Sequence, residues 1–341
     1  MINVKISLPG EKSDCSFENF IDPTSKRLRN IAFHINNNIK EADYWFIFED
    51  LYKSQENCIV AKENIIYLNT ETSFPSTYFF EKHMKSYLKQ FNYLYGCYET
   101  FNPKYINTLP FLPWMINYKS NDSIFSTFGD SVDGLRSLKP PKKKKKISVV
   151  CSDKTNTEDH KLRYEFTKNL KSYFGDELDW YGTGVNPIEN KWKGIQDYKY
   201  HIVIENKSKN NLISEKLFDS YLGFSFPLYY GAPNIADYFS SESFQEIDIN
   251  NFNEAIDKIQ KVIDGNLYEK KIEKIKESRN LVLGKYNFLN RVSEIINKVE
   301  FQEHNSSKSK ITLYSVKEYW NQNTSLKKKA KHTISRKLRL Y

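Results

Sequence analysis

The sequence predicts an α/β protein of two domains that face a central cleft, joined by one short linker and followed by a basic C-terminal tail. Three observations lead there. Short β-branched or aromatic runs alternate with helix-period segments in both halves of the chain, the pattern of parallel sheets with crossover helices. The halves meet at Leu138-Lys139-Pro140-Pro141 followed by five lysines, a stretch without apolar periodicity whose Pro-Pro favours extended backbone. At 341 residues the chain is long enough for each half to bury its own core. The expected boundaries are 1–138 for the first domain, 139–146 for the Pro/Lys linker, 147–300 for the second domain, and 301–341 for a helical segment with a basic amphipathic tail.

In the first half, Ile2 to Leu8, Tyr44 to Phe48, Ile65 to Leu68 and Tyr93 to Cys97 read as strands, and Ser25 to Lys40 as a helix. After the linker comes a strand, Ile147 to Cys151. An amphipathic helix, Glu158 to Phe174, then places Leu162, Phe166, Leu170 and Phe174 at i, i+4 spacing, with Arg163 beside the stripe and free to face the cleft. Strands follow at Leu178 to Tyr181 and Tyr200 to Ile204, then a helix from Ser214 to Leu222. Strands at Phe226 to Tyr230 and Phe244 to Ile249 precede a last helix through Phe252, Ile256, Ile259 and Ile263. In the tail, Leu326, Ala330, Ile334 and Leu338 share one face, as in a helix lying on an anionic surface; a solvated tail is the competing reading.

The net charge of +9 suggests a polyanionic partner until it is located. Lys142 to Lys146 contribute +5 and the last seventeen residues +7, so the rest of the chain carries −3. With no nucleic-acid-binding motif visible, specific nucleic-acid recognition is not expected. Glycine is scarce, at 12 residues, and neither GxxxxGK[ST] nor GxGxxG occurs. Cys15, Cys58, Cys97 and Cys151 are dispersed, without metal-ligand spacing, which suits a reducing compartment. No apolar run approaches the ~18 residues of a membrane span, so a cytoplasmic protein is expected, peripheral on the inner membrane face if the tail binds there.

The most informative stretch is Tyr200 to Ile235. A buried strand ends at Glu205-Asn206, the edge where open α/β sheets bind ligands. Ser214 then suits a helix N-cap, with Glu215 and Lys216 in the first turn. A lysine there opposes the helix dipole unless an anion sits beside it, when lysine and amides together make a phosphate site.

As a whole this stretch resembles the donor-binding motif of the α-1,3/α-1,4-fucosyltransferase family, glycosyltransferase family 10. These are inverting enzymes of GT-B architecture, with two Rossmann-like domains, that use GDP-fucose. The matching residues are Ile204-Glu205-Asn206, Ser214-Glu215-Lys216, Pro227-Leu228-Tyr229-Tyr230 and Gly231-Ala232-Pro233-Asn234. Upstream, KKISVVCSDKTNTEDHKLRYEF is similar to the family's opening of the donor domain, with Arg163 and Phe166 in place. IIYLNTETSFPS and FNYLYGCYETF are similar to its acceptor-domain core. Leu212, where many members have tyrosine, and Ser214, where threonine is usual, depart from the pattern.

The resemblance implies that Arg163 and Lys216 neutralise the diphosphate, that Glu215 accepts hydrogen bonds from the ribose, and that Asn206 contacts the nucleotide. Glu205, Ser214 and Tyr230 are further donor-side candidates. It places the general base at Glu71, just past a strand; by chemistry alone Glu63, Glu81 and Glu99 also qualify. The implied reaction moves fucose, or a related deoxy sugar, from GDP-fucose to a saccharide hydroxyl. The expected acceptor is an oligosaccharide or lipid-linked glycan, with α-1,3 transfer to N-acetylglucosamine or glucose of a surface glycan such as lipopolysaccharide O-antigen. No cofactor is required, metal ligands are absent from the motif, and a divalent ion is at most stimulatory. The alternatives are a relative with another nucleotide-sugar donor, and a non-catalytic protein that binds glycan or nucleic acid.

Overall fold

The computed structural model of the chain describes residues 1–9, 27–28, 30–70, 84, 86–97, 105–111, 116, 132–300 and 307–323. The first half builds strands β1 (Ile2–Ser7), β2 (Arg27–Leu28), β3 (Ile31–Ile35), β4 (Tyr44–Phe48), β5 (Gln55–Val60), β6 (Ile65–Leu68), β7 (Tyr93–Gly96) and β8 (Tyr105–Asn107). Seven of these form one sheet in the order β2-β3-β1-β4-β6-β7-β8, parallel except for β2. Central β4 is buried on both faces: Tyr44, Phe46 and Phe48 enter one core cluster, Trp45 and Ile47 the other. That double burial is why its sequence is an unbroken apolar run.

The helix expected over Ser25 to Lys40 does not form. Its described part holds β2 and β3, with Ile31 and Phe33 buried two apart while Ala32 lies between them, only partly buried. Strand periodicity and pairing with β1 win, and Asn36, left-handed at φ 47, ends the run.

The second half opens with α1 (Val132–Ser137) and continues with β9 (Lys145–Val150), α2 (Glu158–Phe174), β10 (Leu178–Tyr181) and β11 (Tyr198–Ile204). Then come α3 (Glu215–Leu222), β12 (Phe226–Tyr230), β13 (Gln245–Glu246), α4 (Phe252–Asp264), α5 (Leu267–Lys270), α6 (Ile272–Leu283) and α7 (Phe288–Glu300). The sheet is wholly parallel, in the order β10-β9-β11-β12-β13. The strand expected over Phe244 to Ile249 pairs only through Gln245 and Glu246, although Phe244, Ile247 and Ile249 are all buried.

Two lysines of the expected linker, Lys145 and Lys146, already belong to β9. A third, Lys143, is an anchor. Its Nζ donates to the carbonyls of Gly223 (2.6 Å), Gln196 (2.9 Å) and Ile195 (3.4 Å). Burial pulls its pKa down to about 7.

The halves share one continuous core cluster. On α7, Phe288 packs edge-on against Phe48 at 5.6 Å and Phe111 at 6.2 Å between ring centroids. Arg291, one turn on, lies 3.7 Å over the Phe111 ring and donates to the carbonyls of Leu109 and Pro110, each at 2.7 Å. Within the segment expected to be helical and basic, β14 (Ser309–Tyr314) pairs antiparallel with β5, and α8 (Val316–Asn323) follows. Both lie on the first domain: Leu313 is buried there, and Tyr319 meets Tyr87 edge-on.

Candidate active site

In the second sheet β9 has β10 on one side and β11 on the other, so successive connections leave β9 and β11 in opposite directions. The crevice at the C-terminal ends of two such strands is where open α/β sheets bind ligands. Cys151 follows β9 there, and Glu205-Asn206 follows β11. Helix α2 starts at the same edge with Thr157 as N-cap, its Oγ1 accepting the His160 N–H at 3.2 Å.

Arg163 does not stand beside the apolar stripe of α2 as expected. It is buried with Phe166 and Leu170, whereas Leu162 is 36% exposed. The buried face runs through Arg163, Phe166, Thr167, Leu170 and Phe174. Nη1 of Arg163 donates to Asn206 Oδ1 at 2.6 Å, pinning the guanidinium to the end of β11. Its Nε is buried and has no hydrogen-bond partner among the described residues.

Ser214 caps α3, accepting the Lys216 N–H at 3.3 Å. Glu205 is 1% exposed and braces this turn, taking the Ser214 N–H and hydroxyl, each at 2.7 Å. Lys216 Nζ lies 3.4 Å from Glu205, 3.3 Å from Glu215 and 3.0 Å from Ser214 Oγ. Beyond Glu215 the series continues: Lys191 Nζ is 3.5 Å from Glu215 and 3.0 Å from Asp219. Asp219 in turn accepts the Ile116 N–H of the first half at 2.8 Å. Charges therefore alternate through five side chains, from the end of β11 to a contact between the halves.

This alternation sets the protonation states. Burial alone would raise the Glu215 pKa, but Lys216 and Lys191 outweigh it and hold the carboxyl at about 2. Burial likewise opposes the charge of Lys216, and Glu215 with Glu205 overcomes it, so its pKa is raised. His201, buried behind the site and paired with Ser148 Oγ at 2.8 Å, is pushed down to about 3 by burial and then by Lys191 and Lys143. It is neutral at physiological pH. Lys216 remains a quarter exposed and charged, beside helix N-terminal amides and an unclaimed guanidinium N–H. Such a place accepts an anion.

The remaining expected residues fall around this crevice or outside the described residues. The Tyr230 carbonyl accepts the Glu205 N–H at 2.8 Å, joining the ends of β11 and β12. Gly231 follows because a Cβ there would come within 2.3 Å of Tyr229 Oη and 2.6 Å of Glu205 Cγ. Leu212 is buried. Glu71, Glu81, Glu99 and the tail 325–341 lie outside the described residues. Glu63 sits in the turn before β6, at the strand end opposite the ligand edge. Lys191 was not foreseen: its short polar stretch carries no pattern that links it to Glu215.

Residues 140–269 match the family model described as the C-terminal domain of glycosyltransferase family 10 (fucosyltransferase). The match runs from just before β9 to the end of α4 and a little beyond, and leaves out α6 and α7. The matched segment contains Arg163, Lys191, Asn206, Glu205, Ser214, Glu215, Lys216 and Tyr230. An α-(1,3)-fucosyltransferase of Helicobacter pylori is 35% identical over 74 residues, 21% of this chain and 16% of that relative. Among solved structures, an α1,3-fucosyltransferase is 21% identical, with 80% of each chain covered and a TM-score of 0.49. An α-glucosyltransferase in complex with UDP and DNA is 9% identical, with 87% of this chain and 100% of that chain covered and a TM-score of 0.51. The likeness to the α-glucosyltransferase is one of fold alone, the mixed α/β GT-B arrangement of parallel sheets. Among the described residues no group of three or more His, Cys, Asp or Glu is placed to hold a metal ion, and no helix is long and apolar enough to cross a membrane.

Proposed function

We propose that the chain is an inverting fucosyltransferase that moves fucose from GDP-fucose to a saccharide hydroxyl. The observation that carries this reading is the pair of cations, Arg163 and Lys216, at the switch point of the second sheet, each next to Asn206 or Glu215. In this reading the β-phosphate is held by Lys216, the α3 amides and the Arg163 Nε, Glu215 accepts the ribose hydroxyls, and Asn206 contacts the nucleotide. Glu205, Ser214 and Tyr230 support that frame. As the acceptor oxygen bonds to C1 of the sugar, the C1–phosphate oxygen bond breaks, GDP departs with the electron pair, and the acceptor proton passes to Glu71. The cations stabilise the charge growing on the leaving diphosphate, so a divalent metal is dispensable.

The acceptor in this reading is N-acetylglucosamine or glucose of a surface glycan, presented as an oligosaccharide or lipid-linked saccharide and fucosylated at the 3-position. Residues 325–341 hold the enzyme to the anionic inner face of the cytoplasmic membrane. Cosedimentation with anionic vesicles tests this point, and equal binding of full-length and truncated chains refutes it. A thermal-shift series tests the donor, because a ligand that binds only the folded state stabilises it. GDP and GDP-fucose are expected to raise the melting temperature and UDP-sugars to leave it unchanged. The reverse pattern overturns the donor assignment.

A further inference from the structure

We infer that Lys191 is the positioning residue for Glu215: it holds one oxygen of that carboxylate so that the other meets the donor's ribose, which gives the site its preference for a ribonucleotide. The inference rests on the ribose contact proposed for Glu215 above. Lys191 opens the single turn Lys191–Gly194, which leads from β10 into β11. Asn190 caps this turn, its Oδ1 accepting the Lys193 N–H at 3.4 Å. Ile195, the next residue, is buried, and its carbonyl accepts the Ser225 hydroxyl at 3.1 Å, so the turn is pinned to the domain. Its two lysines then part. Lys193 pairs with the exposed Glu189 at the surface, whereas Lys191 turns toward α3.

Glu215 and Asp219 stand four residues apart on α3, so their carboxylates share a face and repel each other unless a cation lies between them. Lys191 is that cation. Its Nζ donates to Asp219 Oδ2 at 3.0 Å and lies 3.5 Å from Glu215 Oε1. Asp219 is buried, and its Oδ1 accepts the Ile116 N–H at 2.8 Å. Held on both oxygens, Asp219 is a fixed post from which the ammonium is aimed at Glu215.

Lys216 approaches the same Glu215 oxygen, Oε1, at 3.3 Å. Both cations thus draw on Oε1, and the nearest contact of neither is with Oε2. A carboxylate offers about four acceptor sites on its two oxygens, which leaves Oε2 to take hydroxyl groups. The two lysines are not equivalent. Lys216 also reaches Glu205 and Ser214, and it is the cation assigned to the phosphate, so a bound diphosphate competes with Glu215 for it. Lys191 comes from a separate segment and is tied to a buried partner. Burial opposes its charge, but Asp219 and Glu215 overcome that and raise its pKa, so it keeps Glu215 ionised and oriented while Lys216 serves the phosphate.

The test measures Kd by calorimetry for GDP, 2′-deoxy-GDP and 3′-deoxy-GDP with the full chain: wild type, Glu215→Ala, Lys191→Met, Lys191→Arg and the double variant Lys191→Met/Asp219→Asn. A hydrogen bond to a charged group is worth about 10- to 100-fold in affinity, and wild type is expected to prefer GDP over at least one deoxy nucleotide by that factor. Glu215→Ala and Lys191→Met should both bring this preference to within threefold of unity. Lys191→Arg, which keeps the cation, is expected to recover part of it. The double variant removes the charge left on Asp219, so it keeps the experiment readable should Lys191→Met fold poorly, and it too should lose the preference. A merely structural lysine would weaken all three nucleotides alike and leave their ratios unchanged. If Glu215→Ala loses the preference while Lys191→Met and the double variant keep it at the wild-type level, the role of Lys191 falls and the ribose contact of Glu215 stands. A wild-type chain that binds both deoxy nucleotides as tightly as GDP, or a Glu215→Ala variant that discriminates as wild type does, removes the ribose contact and this inference together.

Discussion

Replacing Lys216 by methionine tests the charge series at its centre. The substitution keeps most of the side-chain volume and removes one cation that lies within 3.4 Å of both Glu205 and Glu215. Glu205 retains the Ser214 N–H and hydroxyl, and Glu215 retains Lys191 at 3.5 Å. Holding Glu215 at about 2 against an ordinary value of 4.5 corresponds to about 3 kcal/mol, supplied by two lysines against the cost of burial. Loss of the nearer lysine should therefore cost about 2 kcal/mol of stability at pH 7, below the ~3–5 kcal/mol typical when a buried pair loses a partner outright.

The pH dependence fixes the sign. A carboxyl whose folded pKa is depressed contributes stability that is fully present above its unfolded value and lost as pH falls toward the folded one. The deficit of Lys216→Met should thus be largest above about pH 4.5 and shrink between 4.5 and 2. Urea unfolding at a series of pH values reads this directly. GDP affinity at pH 7 should fall about 30- to 100-fold, since a charge-assisted phosphate contact is worth about 2–3 kcal/mol. A deficit that does not change with pH would refute the electrostatic account, and GDP affinity within threefold of wild type would refute the phosphate contact.

Gly182 has φ 151, and a Cβ there would lie 2.2 Å from the Cys151 carbonyl oxygen; Gly182→Ala should cost about 2–3 kcal/mol, read as a lower urea midpoint. Leu313→Asp places a charge in the buried cluster beneath β4 and β6 and should lower the same midpoint by at least about 3 kcal/mol. Exhaustive chelation should leave transfer from GDP-fucose intact. Turnover that disappears on chelation and returns only with added Mn²⁺ or Mg²⁺ would overturn the role given to Arg163 and Lys216.

What the sequence made legible followed the range of the interactions involved. Strands β1, β4, β6 and β7, and nearly every element from β9 to α4, were readable because apolar periodicity reports local burial. β5 was not: its inward residues are Glu56, Cys58 and Val60, and the strand it pairs with is 255 residues away at Asn57 and Thr312. The helix misread over Ser25 to Lys40 fails for a related reason, since Ile31 and Phe33 become a strand by pairing with β1. At the site, the spacing of Glu205, Ser214, Glu215 and Lys216 carried its own meaning because one strand end and one helix cap bring them together. Lys191 reaches the site only through tertiary contacts, and no motif announces it.

The return of β14 and α8 to the first domain makes that domain discontinuous along the chain. Cutting at the Pro/Lys linker would not release it as a unit, since the Leu313 and Tyr319 contacts would leave with the other fragment. During synthesis the order is equally constrained. β5 waits with an open edge while the second half is made, and gains its partner only when residues 309–314 emerge. The pair of β5 and β14 is therefore among the last contacts the chain can complete.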